Sequence, residues 1–252
     1  MSFIGQAIKA FDQAHMFANK VVIVTGGSSG IGAAITRQLV DAGAKVVIAS
    51  ISRGEQSRSD NVLFIETDVR DEDAVKKAID ETLKEFGKID IVVNSAGMNY
   101  QDQRDITNFS LKEYHDVMDT NMTGIFLFTK YTLPHLLKTK GSIVNIASQL
   151  GLVPEPNLPV YSASKAAVVM FTKAMAVRYA ALGIRINCVC PGPIDTAFLR
   201  KGFPVSKLPI GRLGTPDEVA NVALFLASEK CSYVNGAAYT VDAGSSLARP
   251  RG

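Results

Sequence analysis

Tyr161 and Lys165 are the residues of this sequence whose types and spacing could move a proton. They lie four positions apart in an Ala-rich stretch that reads as a helix, so their side chains share one helix face. A free tyrosine has a pKa of about 10, and a neighbouring ammonium attracts the phenolate and lowers that pKa. Lowering it by about three units takes roughly 4 kcal/mol. The spacing therefore predicts that Tyr161 exchanges protons near neutral pH, with Lys165 as its charged neighbour.

A glycine-rich segment, TGGSSGIG at 25–32, has the composition of a phosphate-binding loop. It follows the apolar run VVIVT and opens a helix-like segment. Glycines let the backbone turn tightly and let a phosphate approach, and the helix start offers unpaired N–H groups. Because the loop stands between a strand and a helix, it predicts a dinucleotide site.

The elements that must position these groups alternate along the chain. The predicted strands are VVIVT, KVVIAS, VLFIET, IDIVVN, GSIVNIAS, IRINCVC and GAAYTVD. The predicted helices include IGAAITRQLVDA, AVKKAIDETLKEF and SASKAAVVMFTKAMAVRYAAL, and capping boxes at Ser110–Glu113 and Thr215–Glu218 start two more. This alternation predicts an α/β fold, a doubly wound parallel sheet of the Rossmann-like kind, with its ligand crevice at the carboxyl ends of the strands.

The predicted organisation is a single Rossmann-fold domain over residues 20–252, which contains both the cofactor and the substrate site. Residues 1–19 form an N-terminal extension, in which Phe3, Ala7 and Phe11 recur at helical spacing. The short polar stretch between the second and third strands, ISRGEQSRSDN, indicates a loop rather than a helix.

The motifs together resemble the short-chain dehydrogenase/reductase family of the classical type, over about residues 20–245. The resemblance rests on the T-G-x-x-x-G-x-G spacing, on Asn94-Ser95-Ala96-Gly97, on Tyr161-x-x-x-Lys165 and on Pro191-Gly192. Ser95 departs from the family's N-N-A-G. The resemblance implies hydride transfer between a nicotinamide cofactor and a secondary alcohol or ketone.

The resemblance also assigns roles to four catalytic candidates. Tyr161 would be the general acid/base, and Ser148 would hold the substrate oxygen. Lys165 would bind the nicotinamide ribose, and Asn121 would help to hold a water that relays protons. The candidate cofactor contacts are Gly26, Ser28, Ser29, Gly30, Ile31, Ser50, Arg53, Asp68, Val69, Asn94, Ala96, Gly97, Tyr161, Lys165, Pro191, Gly192, Ile194 and Thr196.

The end of the second strand distinguishes NAD from NADP. An acidic residue there binds the ribose 2′-hydroxyl of NAD, whereas a basic residue accommodates the 2′-phosphate of NADP. This chain has Ser50 at that place, and Arg53 follows later than the usual arginine and could be a solvated loop residue. We therefore expect NADP or NAD, with a small preference for NADP, and dual use stays open.

The substrate should lie between Met98–Gln101, Gln149–Pro154 and Ile194–Leu208. The expected substrate contacts are Ser148, Gln149, Tyr161 and Phe198. Leu199 and Phe203 could join Phe198 in covering an apolar substrate, whereas Asn99, Gln149 and Glu155 could bind hydroxyl groups. This mixture leaves a sugar, a polyol and a 3-oxoacyl chain open.

Composition excludes several other classes of protein. The chain has 252 residues, 47% hydrophobic and 20% charged, and its net charge of +3 is scattered without a dense basic run. We therefore expect no nucleic-acid partner. We also expect no membrane span, since no apolar run reaches about 18 residues. No signal peptide is recognisable, and the three cysteines fit free thiols in a cytoplasmic, reducing compartment, with Cys188 and Cys190 packed in the interior. His15, His115 and His135 lack partners at metal-ligand spacing, so no metal is expected.

Two other functions remain open at this stage. One is a non-catalytic dinucleotide-binding regulator, and the other is an NAD(P)-dependent epimerase or lyase that uses the same tyrosine. The Ala-rich stretch Ala163–Ala176 suits close helix packing between subunits, and the family resemblance implies a homotetramer.

Overall fold

The computed structural model describes residues 15–54, 60–100, 105–199 and 202–247. The helix predicted within residues 1–14 and the tail from residue 248 lie outside the described residues. So do Gln101 and positions 200–201 of the predicted substrate walls, and residues 55–59 of the predicted loop. The described ends of that loop, 51–54 and 60–61, contain no helix, as predicted.

Within the described residues, seven parallel strands form one sheet. Their bounds are β1 Val21–Thr25, β2 Lys45–Ser50, β3 Val62–Glu66, β4 Ile91–Asn94, β5 Ser142–Ile146, β6 Arg185–Pro191 and β7 Ala238–Val241. Their order is β3-β2-β1-β4-β5-β6-β7, which confirms the predicted doubly wound fold. The winding reverses between β1 and β4, and such a switch point opens a crevice beyond the carboxyl ends of the strands.

Helices connect the strands on both faces of the sheet. Their bounds are α1 Gly30–Asp41, α2 Glu72–Phe86, α3 Leu111–Met118, α4 Gly124–Thr139, α5 Pro159–Tyr179 and α6 Pro216–Ala227. Both predicted capping boxes, at Ser110 and Thr215, are present. Helix α5 begins three residues before the predicted Ser162, because Pro159 has a fixed φ and no N–H and so suits a first helical turn. Across the described residues, no helix is long and apolar enough to cross a membrane.

The core lies on both sides of the sheet. Val22 and Val24 of β1 pack in one apolar cluster with α1 and α6 residues such as Leu39 and Leu226. Ile23, between them, packs on the opposite side with Phe128 of α4. Neighbouring side chains of a strand point to opposite faces, so a strand covered on both faces has a continuous apolar sequence. The two layers hold the sheet rigidly and leave its carboxyl edge to carry the polar residues.

Phe17 belongs to this core as well. Its side chain is only 1% exposed, and its backbone N–H donates to the Ala42 carbonyl. The packed domain therefore begins at least three residues before the predicted boundary at residue 20.

Candidate active site

A cleft of about 1040 Å³ lies along the carboxyl ends of the strands. Pockets for small ligands are typically about 300–1,000 Å³, so this cleft has room for a dinucleotide with a small substrate. The predicted site residues that line it are Gly26, Ser29, Gly30, Ile31, Ser50, Asp68, Val69, Ala96, Gly97, Ser148, Gln149, Tyr161, Lys165, Pro191, Gly192, Ile194, Thr196 and Phe198. Four other predicted residues, Ser28, Arg53, Asn94 and Asn121, are not among its lining residues.

The glycine loop leaves no room for side chains. A Cβ on Gly32 would lie 2.2 Å from the Gly26 carbonyl oxygen, and one on Gly26 would lie 2.9 Å from Ala96 Cα. Gly26 also has a φ of 63°, which favours glycine. The chain therefore brings its backbone close to the start of α1, as a phosphate-binding loop requires.

The start of α1 has backbone N–H groups that no capping side chain satisfies. The Ser29 side chain caps no backbone N–H, and the first turn of α1 contains no acidic residue. Behind the loop, Ser28 Oγ is buried and has no hydrogen-bond partner among the described residues. Unpaired N–H groups at the positive end of a helix dipole bind anions, so the loop fits a pyrophosphate.

Side chains of the neighbouring strands β1 and β5 hydrogen-bond the end of β4 and the turn that follows it. Thr25 Oγ1 accepts hydrogen bonds from the backbone N–H groups of Ser95 and Ala96, both at 3.0 Å. Asn94 Nδ2 donates to Asn145 Oδ1 of β5 at 2.8 Å. Asn94 is thus a support beneath the cleft, since its side chain joins two neighbouring strands.

Ser50 ends β2 and lines the cleft, and no carboxylate stands in residues 50–54. Arg53 is exposed, and its guanidinium carbon lies 4.7 Å from the centroid of the Phe64 ring on β3. Stacking on an aromatic face of this kind stabilises a guanidinium by a modest amount. It leaves Arg53 at the rim of the cleft rather than in its lining.

Arg70 is a cleft residue that sequence reasoning missed. Its guanidinium donates to both carboxylate oxygens of Asp68, with Nη2 2.7 Å from Oδ2, and its Nη1 lies 3.2 Å from Asp116 Oδ1 of α3. The hydrogen bond from Arg70 lowers the pKa of Asp68. Asp68, a predicted cofactor contact, therefore meets any ligand as an ionised carboxylate already bonded to an arginine. A basic residue two positions after Asp68, within an acidic run, was the available signal.

Tyr161 lies on α5 with its side chain almost completely buried. Burial raises the pKa of Tyr161 to about 12, and the interaction with the Ser148 hydroxyl opposes this rise. The predicted net lowering of this pKa is not found, because loss of water outweighs the hydrogen bond with Ser148. Ser148, at the end of β5, and Tyr161 nevertheless line the same cleft, as predicted.

Lys165 is buried one helical turn after Tyr161, with 3% of its surface exposed. Its Nζ donates to the Ile146 carbonyl at 2.9 Å and lies 5.7 Å from the Tyr161 ring centroid. Burial lowers the pKa of Lys165 to about 8. The cleft therefore holds a lysine that loses its proton far more readily than a solvated one.

Asn121 lies in a π-helical turn, Asp119–Thr123, between α3 and α4, and is fully buried. Its Oδ1 accepts from the Met98 N–H at 2.8 Å, and its Nδ2 donates to the Met98 carbonyl and to Ser164 Oγ, both at 3.0 Å. A Cβ on Gly97 would lie 3.3 Å from Asn121 Oδ1 and 3.5 Å from Lys165 Nζ. Asn121 thus clamps the turn after β4 to α5 and flanks Gly97 opposite Lys165.

The two central cysteines are buried, as predicted, and all three cysteines are unpaired. Cys190 lies behind the catalytic candidates, which the sequence did not show. Its hydrogen bond to Cys188, together with burial, raises the pKa of the Cys190 thiol, whereas the Ser148 N–H and the Lys165 ammonium oppose this rise. The Cys190 thiol is therefore a packing group in this strand rather than a nucleophile.

Comparison with known proteins agrees with this geometry. Residues 26–246 match the family model described as Enoyl-(Acyl carrier protein) reductase. The chain is 39% identical to cis-4-hydroxycyclohexanecarboxylate dehydrogenase of Sinomonas cyclohexanicum, over 90% of this chain and 97% of that protein.

Two solved structures are closely similar. Ligand-free aldohexose dehydrogenase of Thermoplasma acidophilum has a TM-score of 0.86 and 36% identity, over 94% of this chain and 97% of that one. The 3-ketoacyl-(acyl-carrier-protein) reductase of Brucella melitensis, complexed with NADH, has a TM-score of 0.86 and 33% identity, over 91% and 99%.

The chain belongs to the short-chain dehydrogenase/reductase family. It is an NAD(P)-dependent dehydrogenase that acts on CH–OH groups.

Proposed function

We propose that this enzyme transfers a hydride between NAD(P) and a secondary alcohol or its ketone, with Tyr161 as the general acid/base. One observation carries the proposal. A buried tyrosine and a buried lysine of α5 line the same cleft as the glycine loop and Ser148, which lies two residues after β5. Bound NAD(P) would supply or accept the hydride; this chain's residues position the reactants and move the proton.

The cofactor would lie along the switch point of the sheet. The glycine loop and the free N–H groups of α1 would hold its pyrophosphate, and Asp68 and Val69 would lie at the adenine end. Lys165 would bind the nicotinamide ribose. The turns at Gly97 and Pro191-Gly192 would flank the nicotinamide ring.

Tyr161 would hold a proton at its phenol oxygen for most of the catalytic cycle. Because burial raises its pKa to about 12, the phenol is fully protonated at neutral pH and can donate to a ketone oxygen. Ser148 would hydrogen-bond the same oxygen and stabilise the charge that develops there. In the reverse direction, positive charge near Tyr161 must favour the phenolate, which is a role for the Lys165 ammonium and the oxidised nicotinamide.

We propose that NADP binds somewhat more tightly than NAD. No carboxylate follows β2 in residues 50–54 to accept from a ribose 2′-hydroxyl, and Arg53 lies close by on Phe64. Binding of NADP(H) and NAD(H), measured by calorimetry on wild type and Arg53→Ala, tests this. We expect Arg53→Ala to weaken NADP(H) more than NAD(H), and Arg178→Ala, an exposed arginine on α5, to change neither. Equal losses for both cofactors in Arg53→Ala would remove Arg53 from the phosphate site.

We also propose that the protein is a cytoplasmic homotetramer, in which each subunit has a single domain that includes Phe17 and follows an N-terminal extension. Exposed apolar side chains support contacts between subunits: Met170 and Val177 of α5 are 64% and 82% exposed, and Tyr233 and Tyr239 lie exposed around β7. Solvent-exposed apolar groups that cluster on two faces favour association. Sedimentation equilibrium should give four times the chain mass; a monomer would refute the assembly.

Transfer of label tests the reaction itself. NADPH or NADH that carries deuterium at the transferable position should deliver it to carbon of a ketone substrate. Tyr161→Phe should bind cofactor as wild type does and lose at least 99% of this transfer. If the wild-type protein is a non-catalytic regulator, no deuterium will be transferred to any product. If it is an epimerase or lyase, product will form but will contain no deuterium from the cofactor. Either result refutes the proposal, as does substantial turnover by Tyr161→Phe.

A further inference from the structure

Among the described residues that line the cleft, Glu155 carries the one carboxylate that is not paired with Arg70, and it lies six residues before Tyr161 in the chain. We infer that the substrate is a neutral polyhydroxylated compound, and that Glu155 selects it by accepting hydrogen bonds from a hydroxyl next to the reacting carbon. This inference rests on the proposed function, since it concerns the substrate of the same site.

Glu155 is held so that one oxygen stays available. The backbone N–H and the Nδ2 of Asn157 donate to the same oxygen, Oε1, at 3.2 Å and 2.9 Å. Within the described part of the chain, Oε2 accepts no hydrogen bond. An ionised carboxylate has about four acceptor positions, so Oε2 can accept from substrate hydroxyls without breaking a contact.

Two amides near Glu155 have unused capacity as well. Ser245 Oγ donates to Gln149 Oε1 at 2.5 Å, which fixes that amide and leaves its Nε2 as a donor. Gln149 and Asn99 both line the cleft, and Asn99 makes no side-chain hydrogen bond within the described residues. A carboxylate acceptor beside amide donors matches hydroxyl groups, which both donate and accept.

Charge opposes an anionic substrate. Apart from Glu155 and Lys165, the charged residues of the described cleft lining form one group in which the charges are paired. They are Asp68, Arg70, Lys112 and Asp116: Arg70 pairs with both aspartates, and Lys112 pairs with Asp116. Lys165 is buried and bonded to Ile146. Among the described lining residues, a carboxylate or phosphate on the substrate would thus face Glu155 with no unpaired cation beside it, and like charges repel.

The remaining wall suits the carbon side of such a substrate. Phe198 packs with its ring centroid 6.0 Å from that of Tyr161, and Leu199 and Phe203 also line the cleft. Apolar side chains cover C–H groups, while the polar residues take the hydroxyls. A sugar or a polyol presents both kinds of surface.

The experiment compares matched substrates on wild type and Glu155→Gln. The probes are 2,3-butanediol against 2-butanol, an aldohexose against the corresponding uronic acid, and a 3-oxoacyl thioester of N-acetylcysteamine. Glu85→Gln, an exposed position on α2, is the control for loss of one carboxylate. Thermal unfolding establishes that each variant is folded.

We expect wild type to prefer the diol and the neutral sugar over their partners and over the thioester. In Glu155→Gln the two Asn157 donors retain the amide oxygen, so an NH2 group replaces the charged acceptor that faces the substrate. Loss of a hydrogen bond to a charged group corresponds to about 10- to 100-fold. Glu155→Gln should therefore raise KM for the diol by at least tenfold, leave kcat/KM for 2-butanol within about twofold, and narrow the discrimination against the uronic acid. Asn157→Ala, which removes one of the two bonds that hold Oε1, should change the diol KM in the same sense by less.

Three results would overturn the inference. One is an equal loss for diol and mono-alcohol in Glu155→Gln when the variant is folded, which indicates a structural role. Another is unchanged diol kinetics in that variant. The third is a wild-type preference for the thioester or the uronic acid, which leaves the proposed function intact. Turnover of no alcohol or ketone by an enzyme that binds NAD(P) would instead refute the proposed function, and the inference with it.

Discussion

Replacement of Lys165 by methionine should stabilise the protein while it abolishes activity. The Lys165 side chain is buried, and its pKa falls from 10.5 to about 8. At about 1.36 kcal/mol per pH unit, the charged form costs the folded state about 3 kcal/mol at neutral pH. Methionine has a similar length and no charge, but it leaves the Ile146 carbonyl without its hydrogen bond, at a cost of about 1 kcal/mol. The net gain expected at pH 7 is about 2 kcal/mol.

The sign of the pH dependence provides an independent check. Between pH 8 and pH 10.5 the unfolded chain binds more protons at this lysine than the folded chain, so wild-type stability rises with pH there. The cost of burying the charge is complete below about pH 8 and decreases by about 2 kcal/mol between pH 7 and pH 9.5. The advantage of Lys165→Met should therefore vanish near pH 9.5. Higher pH is avoided because the tyrosines of the unfolded chain titrate at about pH 10.

Urea unfolding of wild type and Lys165→Met at matched chain concentration, from pH 7 to pH 9.5, measures this difference. Matched concentration matters because assembly adds to stability. A gain of about 2 kcal/mol corresponds to a Tm rise of about 4–8 °C for a chain of this size. Lys173→Met, at an exposed position on the same helix, should change stability by less than about 0.5 kcal/mol. A Lys165→Met variant that is less stable than wild type, or a stability difference that does not depend on pH, would refute a desolvated, buried ammonium at Lys165.

Three further outcomes follow from the site geometry. Ser148→Ala removes the interaction that lowers the pKa of Tyr161, so the pH profile of kcat/KM for alcohol oxidation should shift to higher pH; a lower rate with an unchanged midpoint would contradict this. Gly32→Ala places a Cβ 2.2 Å from the Gly26 carbonyl oxygen. The substitution should lower the free energy of unfolding by about 1–3 kcal/mol and remove most of the affinity for the cofactor, measured by calorimetry. A variant that binds the cofactor as tightly as wild type would refute the close approach of Gly32 to Gly26. Arg70→Ala should raise the pKa of Asp68, which NMR titration can follow. Because an exposed ion pair adds at most about 1 kcal/mol, the free energy of unfolding should change little. An unchanged pKa would mean that the Arg70–Asp68 pair does not persist in solution.

Local features of the fold were predictable because they depend on residues close in sequence. The apolar strand VVIVT, the glycine loop and α1 form one continuous unit, and neighbours within four residues determine each part of it. The same holds for the capping boxes at Ser110 and Thr215, which satisfy backbone groups of their own helices. The shared face of Tyr161 and Lys165 follows from helix geometry alone.

The boundaries were less predictable. Helix α5 begins at Pro159 rather than Ser162, and Phe17 belongs to the core although it precedes the predicted domain. The start of α5 follows from the fixed φ of Pro159, which is a local signal, whereas the contacts that place Phe17 in the core are distant in sequence: Phe17 packs beside α1 and bonds Ala42.

The amino-acid sequence alone determined the parallel α/β fold, the dinucleotide loop and the pairing of Tyr161 with Lys165, because periodicity and spacing are local properties of a chain. Only the tertiary structure decided the electrostatics of the site. Burial raises the pKa of Tyr161 and lowers that of Lys165, and this burial is produced by the sheet and helices that enclose α5. The tertiary structure also decided three side-chain contacts that join distant elements or the cleft rim. These are Asn121 with Met98, Arg53 with Phe64 and Arg70 with Asp68. A free energy of desolvation depends on every group that displaces water, and the chain brings those groups together only when it folds.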